Sequence, residues 1–299
     1  MRYRILIVIA TIIWGSSFVI VKDVTGYLSP AWILVVRFSA AAVIMACALL
    51  KRRHLYFERT HVGYGLLFGL AMFLAYYLQT IGITDTTPGK NAFLTGTYCI
   101  MVPFLAWGMA HRRPNRFNLV AALLCIIGVG FISLGNGDGG SLLSMRFGDA
   151  MTLGCAVFYA VHIVLVSMFA KGRDIFVLTM WQFAGIAVCS LLAGLVFEPG
   201  PTWSAVPPEG WASLAYLTVA CTTLALLFQN IGQAHIPPAS ASLLLSLEAV
   251  FGVAFSVALG AETLTLRVVF GFALVFAAII VSEVLPQRLK IIEGDSPLL

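Results

Sequence analysis

The chain has 299 residues, 60% of them hydrophobic and only 10% charged, with a net charge of +5 and a mean hydropathy of +0.97. A soluble domain carries roughly a quarter of its residues charged, so the composition describes a polytopic membrane protein whose helices satisfy their own backbone in lipid. The basic residues are scattered over short loops between apolar runs, which argues against nucleic acid as a partner. The six cysteines fall in six different apolar runs without Cys-x-x-Cys spacing, which argues against a disulfide framework or a zinc site.

Ten apolar segments of spanning length follow one another, at about 4–22, 30–50, 62–83, 90–110, 117–135, 149–169, 175–197, 211–232, 238–259 and 266–285. About 20 residues cross the hydrocarbon core, so each is read as a transmembrane helix. Arg2 and Arg4 precede the first, which runs to Val21 without a small-residue cleavage site and is read as an uncleaved span. Leu28-Ser29-Pro30, Thr87-Pro88-Gly89, Arg112-Arg113-Pro114, Glu198-Pro199-Gly200-Pro201 and Pro237-Pro238 punctuate the gaps, where proline starts a helix without needing its missing donor. The longest polar gap, Gly135 to Arg146, lacks the Lys-Ser/Thr and the preceding strand of a phosphate loop and reads as a linker.

Lys and Arg alternate between the two sides of this pattern. One side collects Arg2, Arg4, Lys51, Arg52, Arg53, Arg59, Arg112, Arg113, Arg116, Lys171, Arg173, Arg288 and Lys290; the other has Lys22, Lys90, Arg146 and Arg267. The positive-inside rule then places both termini in the cytoplasm. Leu74–Leu94 recurs 150 positions later (224 − 74): Leu74/Leu224, Ala75/Ala225, Gln79/Gln229, Ile81/Ile231, Gly82/Gly232, Pro88/Pro238 and Leu94/Leu244 are identical without a gap. The matched segments are spans 3–4 and 8–9. Five crossings separate them, so the copies point in opposite directions. The predicted fold class is an all-α membrane protein of ten transmembrane helices in two inverted five-helix repeats. The first repeat covers 1–136, a linker 137–148, the second repeat 149–286 and a cytoplasmic tail 287–299. Inverted repeats of this kind suit a secondary transporter, and no nucleotide-binding motif accompanies them.

Trp14-Gly15-Ser16-Ser17-Phe18 leading to Lys22, Ser29-Pro30 leading to Arg37-Phe38, Pro103-Phe104, Leu247-Glu248 with Val250-Phe251, and Gly260-Ala261-Glu262-Thr263-Leu264-Thr265 stand in order along the chain. Together they resemble the drug/metabolite transporter superfamily, specifically its ten-helix exporters with two EamA domains, over essentially the whole length. The resemblance implies export of small metabolites, amino acids or drugs across the inner membrane. Two positions depart from the family pattern. Ala249 stands where the family usually has Pro, which predicts a straighter ninth helix, and Arg113 stands where it has an acid, opposite Glu262 of the second half.

Arg37 and Glu248 are the charges deepest in apolar sequence, and intramembrane charges mark function by default. Arg37 is seven residues from Pro30 and Glu248 ten from Pro238, roughly 10 and 15 Å into a core of about 30 Å at 1.5 Å per residue. They are predicted to share one central cavity, the alternative being an ion pair that fastens helix 2 to helix 9. Shifting by 150 maps Glu248 to Tyr98, Leu245 to Thr95 and Ala241 to Asn91, so Asn91, Thr95 and Tyr98 make a polar stripe. That stripe is expected opposite Ala241, Leu245, Glu248 and Gly252; plain interhelical hydrogen bonding is the alternative. Trp14 is the aromatic candidate for the cavity. Gln182 aligns with Arg37 as its repeat partner, through Arg37-Phe38 and Gln182-Phe183.

The candidate substrate-binding set is therefore Trp14, Arg37, Asn91, Thr95, Tyr98, Gln182 and Glu248. Arg37 would anchor an anionic group, and Glu248 would bind an amine or take up a proton. His162 is a second candidate proton relay, with a merely packed histidine as the alternative. Gln79 and Gln229 are candidate gates, Gly82 and Gly232 hinges. Gly65-x-x-x-Gly69 suits close packing within the fold or at a homodimer face. No cofactor, metal site or catalytic constellation is read from the chain. The expected partners are a small-molecule substrate, membrane lipid and protons. An importer or facilitator of a charged metabolite, and more remotely a membrane enzyme or scaffold, are the rival readings.

Overall fold

The structure, a computed structural model, describes residues 2–111, 114, 116–133, 146–236, 238–261 and 265–285. Arg113, Glu262, most of the predicted linker and the predicted tail lie outside these residues. Every regular element among the described residues is helical. In chain order these are α1 (Arg2–Val24), α2 (Pro30–Ala48), α3 (Arg59–Asp85), α4 (Pro88–Gly96), α5 (Tyr98–Ala110), α6 (Arg116–Ser133), α7 (Phe147–Phe169), α8 (Ile175–Phe197), α9 (Pro208–Tyr216), α10 (Ala225–His235), α11 (Pro238–Leu245), α12 (Leu247–Ala258) and α13 (Leu266–Ile279). Seven stretches are long and apolar enough to cross a membrane, α4–α5 and α9–α10 each counting as one; Arg116–Gly128, Leu247–Ala258 and Val269–Ile279 are shorter apolar helices. Large apolar side chains such as Val43, Leu123, Ile126, Leu195 and Val196 are exposed on the outside of the bundle. Lipid tails, not water, suit that surface.

Element bounds recur at two constant offsets. α7 begins and ends 145 positions after α1 (147 − 2 and 169 − 24), and α8 begins 145 after α2 (175 − 30). From α3 onward the offset is 150: α10 ends at 235 against 85, α11 begins at 238 against 88 and α13 at 266 against 116. Helix starts repeat with them. Ser29 and Asp174, which precede α2 and α8, stand at equivalent places; Asp174 caps its helix by accepting the N–H groups of Phe176 and Val177, a role suited to a short acidic side chain.

Four helices depart from regular α geometry, α13 by running on into a π-helical segment at Ile280–Val284. α4 gives way to α5 at Thr97, whose N–H and hydroxyl both donate to Leu94 O, at 3.2 and 2.6 Å. This local competition with the helical ladder is typical of threonine. α11 gives way to α12 at Ser246, whose backbone angles (φ −63°, ψ −16°) match those of Thr97 (φ −62°, ψ −14°). The ninth helix is thus interrupted at Ser246 although Ala249 supplies no proline. Between α9 and α10, Leu217–Leu224 forms a π-helical segment.

The helices pack through small residues. A methyl at Gly69 would come within 2.8 Å of Gln182 O, one at Gly82 within 2.8 Å of Gly148 O, and Gly232 lies against Ile7 and Tyr3 O. The Gly65-x-x-x-Gly69 pair therefore serves contact inside the fold, where Gly65 lies against Trp181 and Leu178 O. Gly96 meets Ala249, and Gly252 meets Ala92, so the two interrupted helices cross where they break.

Candidate functional site

A narrow cavity lies at that crossing, in two lobes that share Trp14, Tyr76, Tyr159 and Glu248 as walls. Arg37, Gln79, Thr80 and Asn91 complete the first lobe; Tyr98, Ile163, Gln229 and Leu245 complete the second. Each holds about 20 Å³ of free room, enough for roughly one water. An organic solute fits only when the walls separate. A wider recess of about 400 Å³ opens beyond the first lobe, lined by Lys22, Asp23, Thr84, Asp85 and Arg146. The Lys22 ammonium donates to Ile83 O and Thr84 O at 2.7 and 2.9 Å, tying the ends of α1 and α3 together between recess and lobe.

Arg37 is 2% exposed. Its position depends on the π segment. Ala225 N–H bonds to Ala220 O and Thr222 O, bypassing Cys221 O, which instead accepts Trp14 Nε1 at 2.7 Å. The next residue, Thr222, accepts Arg37 Nε at 3.0 Å. One widened turn thus fixes an aromatic wall and the buried cation, in line with the frequent placing of π-bulges at functional sites. The guanidinium lies over the rings of Tyr76 and Phe38, at 5.4 and 5.7 Å, and Nε makes its one hydrogen bond among the described residues. The two terminal nitrogens remain for whatever enters the lobe, and their fork matches a carboxylate or phosphate.

Glu248 stands in the first turn of α12, just past the break at Ser246. Among the described residues it has neither an ion pair nor a hydrogen bond to another side chain; in particular it does not pair with Arg37, though both line the first lobe. Around it stand Trp14, Tyr76, Tyr98 and Tyr159, with Tyr159 at 5.6 Å from Tyr76 and 6.0 Å from Tyr98, centroid to centroid. A carboxylate inside an aromatic enclosure is chemistry for an organic cation, since ring faces and the acid attract it together.

The other predicted residues divide. Tyr98 lines the second lobe. Asn91 lines the first, but its amide donates to Thr152 Oγ1 and Gln79 O. Thr95 accepts from Gln79 Nε2 at 3.1 Å and touches Cys155 Sγ. The polar stripe on α4 is turned toward α3 and α7, and the α12 side of the crossing is closed by Gly252 against Ala92. Gln79 ties this network together by accepting from Tyr159 OH at 2.9 Å, while Gln229 faces the second lobe. Gln182 and His162 line neither lobe. Gln182 Oε1 accepts from Asn230 at 3.0 Å, and both ring nitrogens of His162 are buried beside Gln182 with no hydrogen bond of good geometry among the described residues.

Sequence reasoning missed Tyr76 and Tyr159 as walls, Thr222 as the partner of Arg37, and a buried ion pair at the recess end. There Lys90 Nζ lies 2.7 Å from Asp149 Oδ2, with side chains 5% and 0% exposed, and Thr86 donates to the other carboxylate oxygen. Opposite charges in the first turns of α4 and α7, placed at one end by the alternation of spans, were the available signal. Among the described residues no cluster of three or more His, Cys, Asp or Glu side chains is arranged to hold a metal ion.

The EamA-like transporter family matches residues 1–134 and again 146–283. An "Uncharacterized transporter" of Archaeoglobus fulgidus is 30% identical over 91% of this chain and 83% of its own length. "Uncharacterized transporter YyaM" of Bacillus subtilis is 24% identical over 91% and 90%. A solved crystal structure aligns over 95% of this chain and 98% of its own with a TM-score of 0.70 at 19% identity, a likeness of fold. With its helices and apolar exterior already described, the chain is a multi-pass membrane protein of the EamA-like transporter family, within the drug/metabolite transporter superfamily.

Proposed function

We propose that this protein is an inner-membrane secondary transporter that exports a small zwitterionic organic solute by alternating access, in exchange for protons. The observation that carries the reading is the placing of Arg37 and Glu248 on one cavity without contact between them. Opposite buried charges left apart in low dielectric attract strongly, and a solute bearing an anionic and an amine group satisfies both. The guanidinium fork takes the anion; Glu248, with the ring faces of Trp14, Tyr98 and Tyr159, takes the amine. When the solute leaves, a proton on Glu248 neutralises the acid, which couples the two fluxes.

Ten crossings, termini in the cytoplasm and two inverted halves at 1–136 and 149–286 complete the reading. Support comes from the recurring element bounds, from interruptions at equivalent places in the fourth and ninth helices, and from the reciprocal packing of Gly82 on α7 and Gly232 on α1. Discontinuous helices meeting at a central site are a feature of carriers built from inverted repeats.

A thermal-shift screen of amino acids, nucleotides, sugars and cationic drugs on detergent-solubilised protein tests the substrate class. Zwitterions should raise the melting temperature of the native chain, because a ligand stabilises by RT ln(1 + [L]/Kd), and should lose this effect on Arg37→Ala. Stabilisation by the same compounds of folded Arg37→Ala and Glu248→Gln would remove the cavity from the mechanism. In proteoliposomes, Glu248→Gln should abolish the pH dependence of transport of the compound so found.

A further inference from the structure

Four buried polar side chains stand on α7, α8 and α10: Asn230 donates to Gln182, His162 lies beside Gln182 and Gln233 follows one turn along from Asn230; their other polar atoms go largely unused. His162 and Gln182 are 0% exposed, Asn230 1% and Gln233 7%. Both His162 nitrogens, Gln182 Nε2, Asn230 Oδ1 and both amide atoms of Gln233 make no hydrogen bond of good geometry among the described residues, although His162 and Gln182 lie close enough to interact. Buried polar atoms without partners are rare. So many in one place need a cause that single-state packing does not supply.

The offsets supply one. Adding 145 on the first two helices and 150 on the third carries Ser17, Arg37, Thr80 and Ile83 of the first lobe onto His162, Gln182, Asn230 and Gln233. The same operation carries Trp14 onto Tyr159 and Gln79 onto Gln229, which line the second lobe. The unsatisfied cluster is therefore the image of part of the first lobe, yet none of its four side chains lines either lobe. Phe68 stands edge-on to His162 at 5.9 Å and belongs, with Leu165, Val166, Ala170, Ile175 and Leu178, to an apolar cluster separate from the main core. The recess end carries 400 Å³ of open space at the equivalent depth.

We infer that His162, Gln182, Asn230 and Gln233 form the second access lobe of the transport path, shut in this structure, which takes up water and the uncharged polar part of the solute when the recess end closes. The inference rests on the alternating-access reading and names its second half. The two lobes differ in charge. Arg37 offers the solute a cation on one flank, whereas Gln182 and His162 offer neutral donors and acceptors on the other. An exported solute thus enters past the amide side, and its anionic group is held by Arg37 before it leaves through the recess end.

The test uses a charged, membrane-impermeant methanethiosulfonate on right-side-out and inside-out vesicles, with the unsubstituted chain as background. Gln233→Cys should react from the face that bears the α7–α8 turn, and Thr80→Cys from the opposite face. Gln233→Cys inert from both faces, or reactive from the same face as Thr80→Cys, overturns the inference and leaves a sealed water pocket in its place. Thr80→Cys decides separately whether the first lobe belongs to a path at all. Hydroxyl-radical footprinting of the unsubstituted chain avoids any folding defect. Oxidation of His162 comparable to that of Tyr76 is expected, and an untouched His162 beside a modified Tyr76 overturns the proposal.

Discussion

Three neighbours replace part of the water that the buried Arg37 guanidinium gives up: the Thr222 hydroxyl and the faces of Tyr76 and Phe38. The hydroxyl is the strongest of these, since a hydrogen bond to a charged group is worth about 1.5–3 kcal/mol. Thr222→Val should therefore lower stability by about that amount, read as the unfolding midpoint in detergent. In an Arg37→Met background the same change should be nearly neutral, because a double-mutant cycle isolates the pair. Arg37→Lys separates charge from geometry: it keeps the cation but loses the fork, so binding of a carboxylate-bearing solute should weaken by about tenfold or more. Titration of the screened compound against both variants checks this. Arg37 and Glu248 were legible in the sequence because charge stands out in an apolar run. Thr222 was not, since a threonine in a span reads as an ordinary helix surface until a π turn aims it.

At the scale of elements, close helix approach is set by glycines, and its consequences can be graded. Gly82→Ala would drive a methyl into Thr152 and toward Gly148 O, an overpacking that typically costs 1–3 kcal/mol. Gly63→Ala, on the same helix with nothing within 4 Å, should be neutral or stabilising by up to about 1 kcal/mol from helix propensity. Thermal unfolding of the two variants side by side reads the difference. The Lys90–Asp149 pair binds α4 to α7. Lys90→Met leaves Asp149 buried without its cation and should lower stability by about 3–5 kcal/mol, while adding Asp149→Leu should recover much of that loss. The spans themselves were legible from apolar length and Pro-Gly punctuation. The breaks at Thr97 and Ser246 were not, since neither carries a proline; they stand where two small-residue faces meet, Ala92 and Gly96 against Ala249 and Gly252. The polar stripe divides: Asn91 and Tyr98 share lobes with Glu248, while Asn91 and Thr95 also hydrogen-bond to α3 and α7, because helical spacing fixes which residues share a face and says nothing about which of several neighbours each will meet.

For the whole molecule, inversion of the halves depends on the parity of crossings, and parity depends on the elements least like ordinary spans: the broken α4–α5, the short α12 and the π-interrupted α9–α10. Exposed turn residues report on each. Arg53 and Lys171 are separated by α3, α4–α5, α6 and α7, an even number of crossings, and Thr202 follows Lys171 after α8 alone. Arg53→Cys and Lys171→Cys should then react with an impermeant thiol reagent from one face, which the positive-inside rule makes cytoplasmic, and Thr202→Cys from the other. Ala261→Cys, beyond the π-interrupted and the broken second-half helices, should share the face of Thr202. If Lys171 and Arg53 label from opposite faces, one of α3 to α7 fails to cross, the two matched regions run in the same direction, and exchange of conformation between them no longer converts one opening into the other. If Ala261 and Thr202 disagree, the second half lacks a crossing and Glu248 no longer lies at the depth of Arg37. Agreement at all four positions leaves the two halves antiparallel across the membrane, the one geometry in which the open lobe beside Arg37 and the shut cluster around Gln182 face opposite compartments.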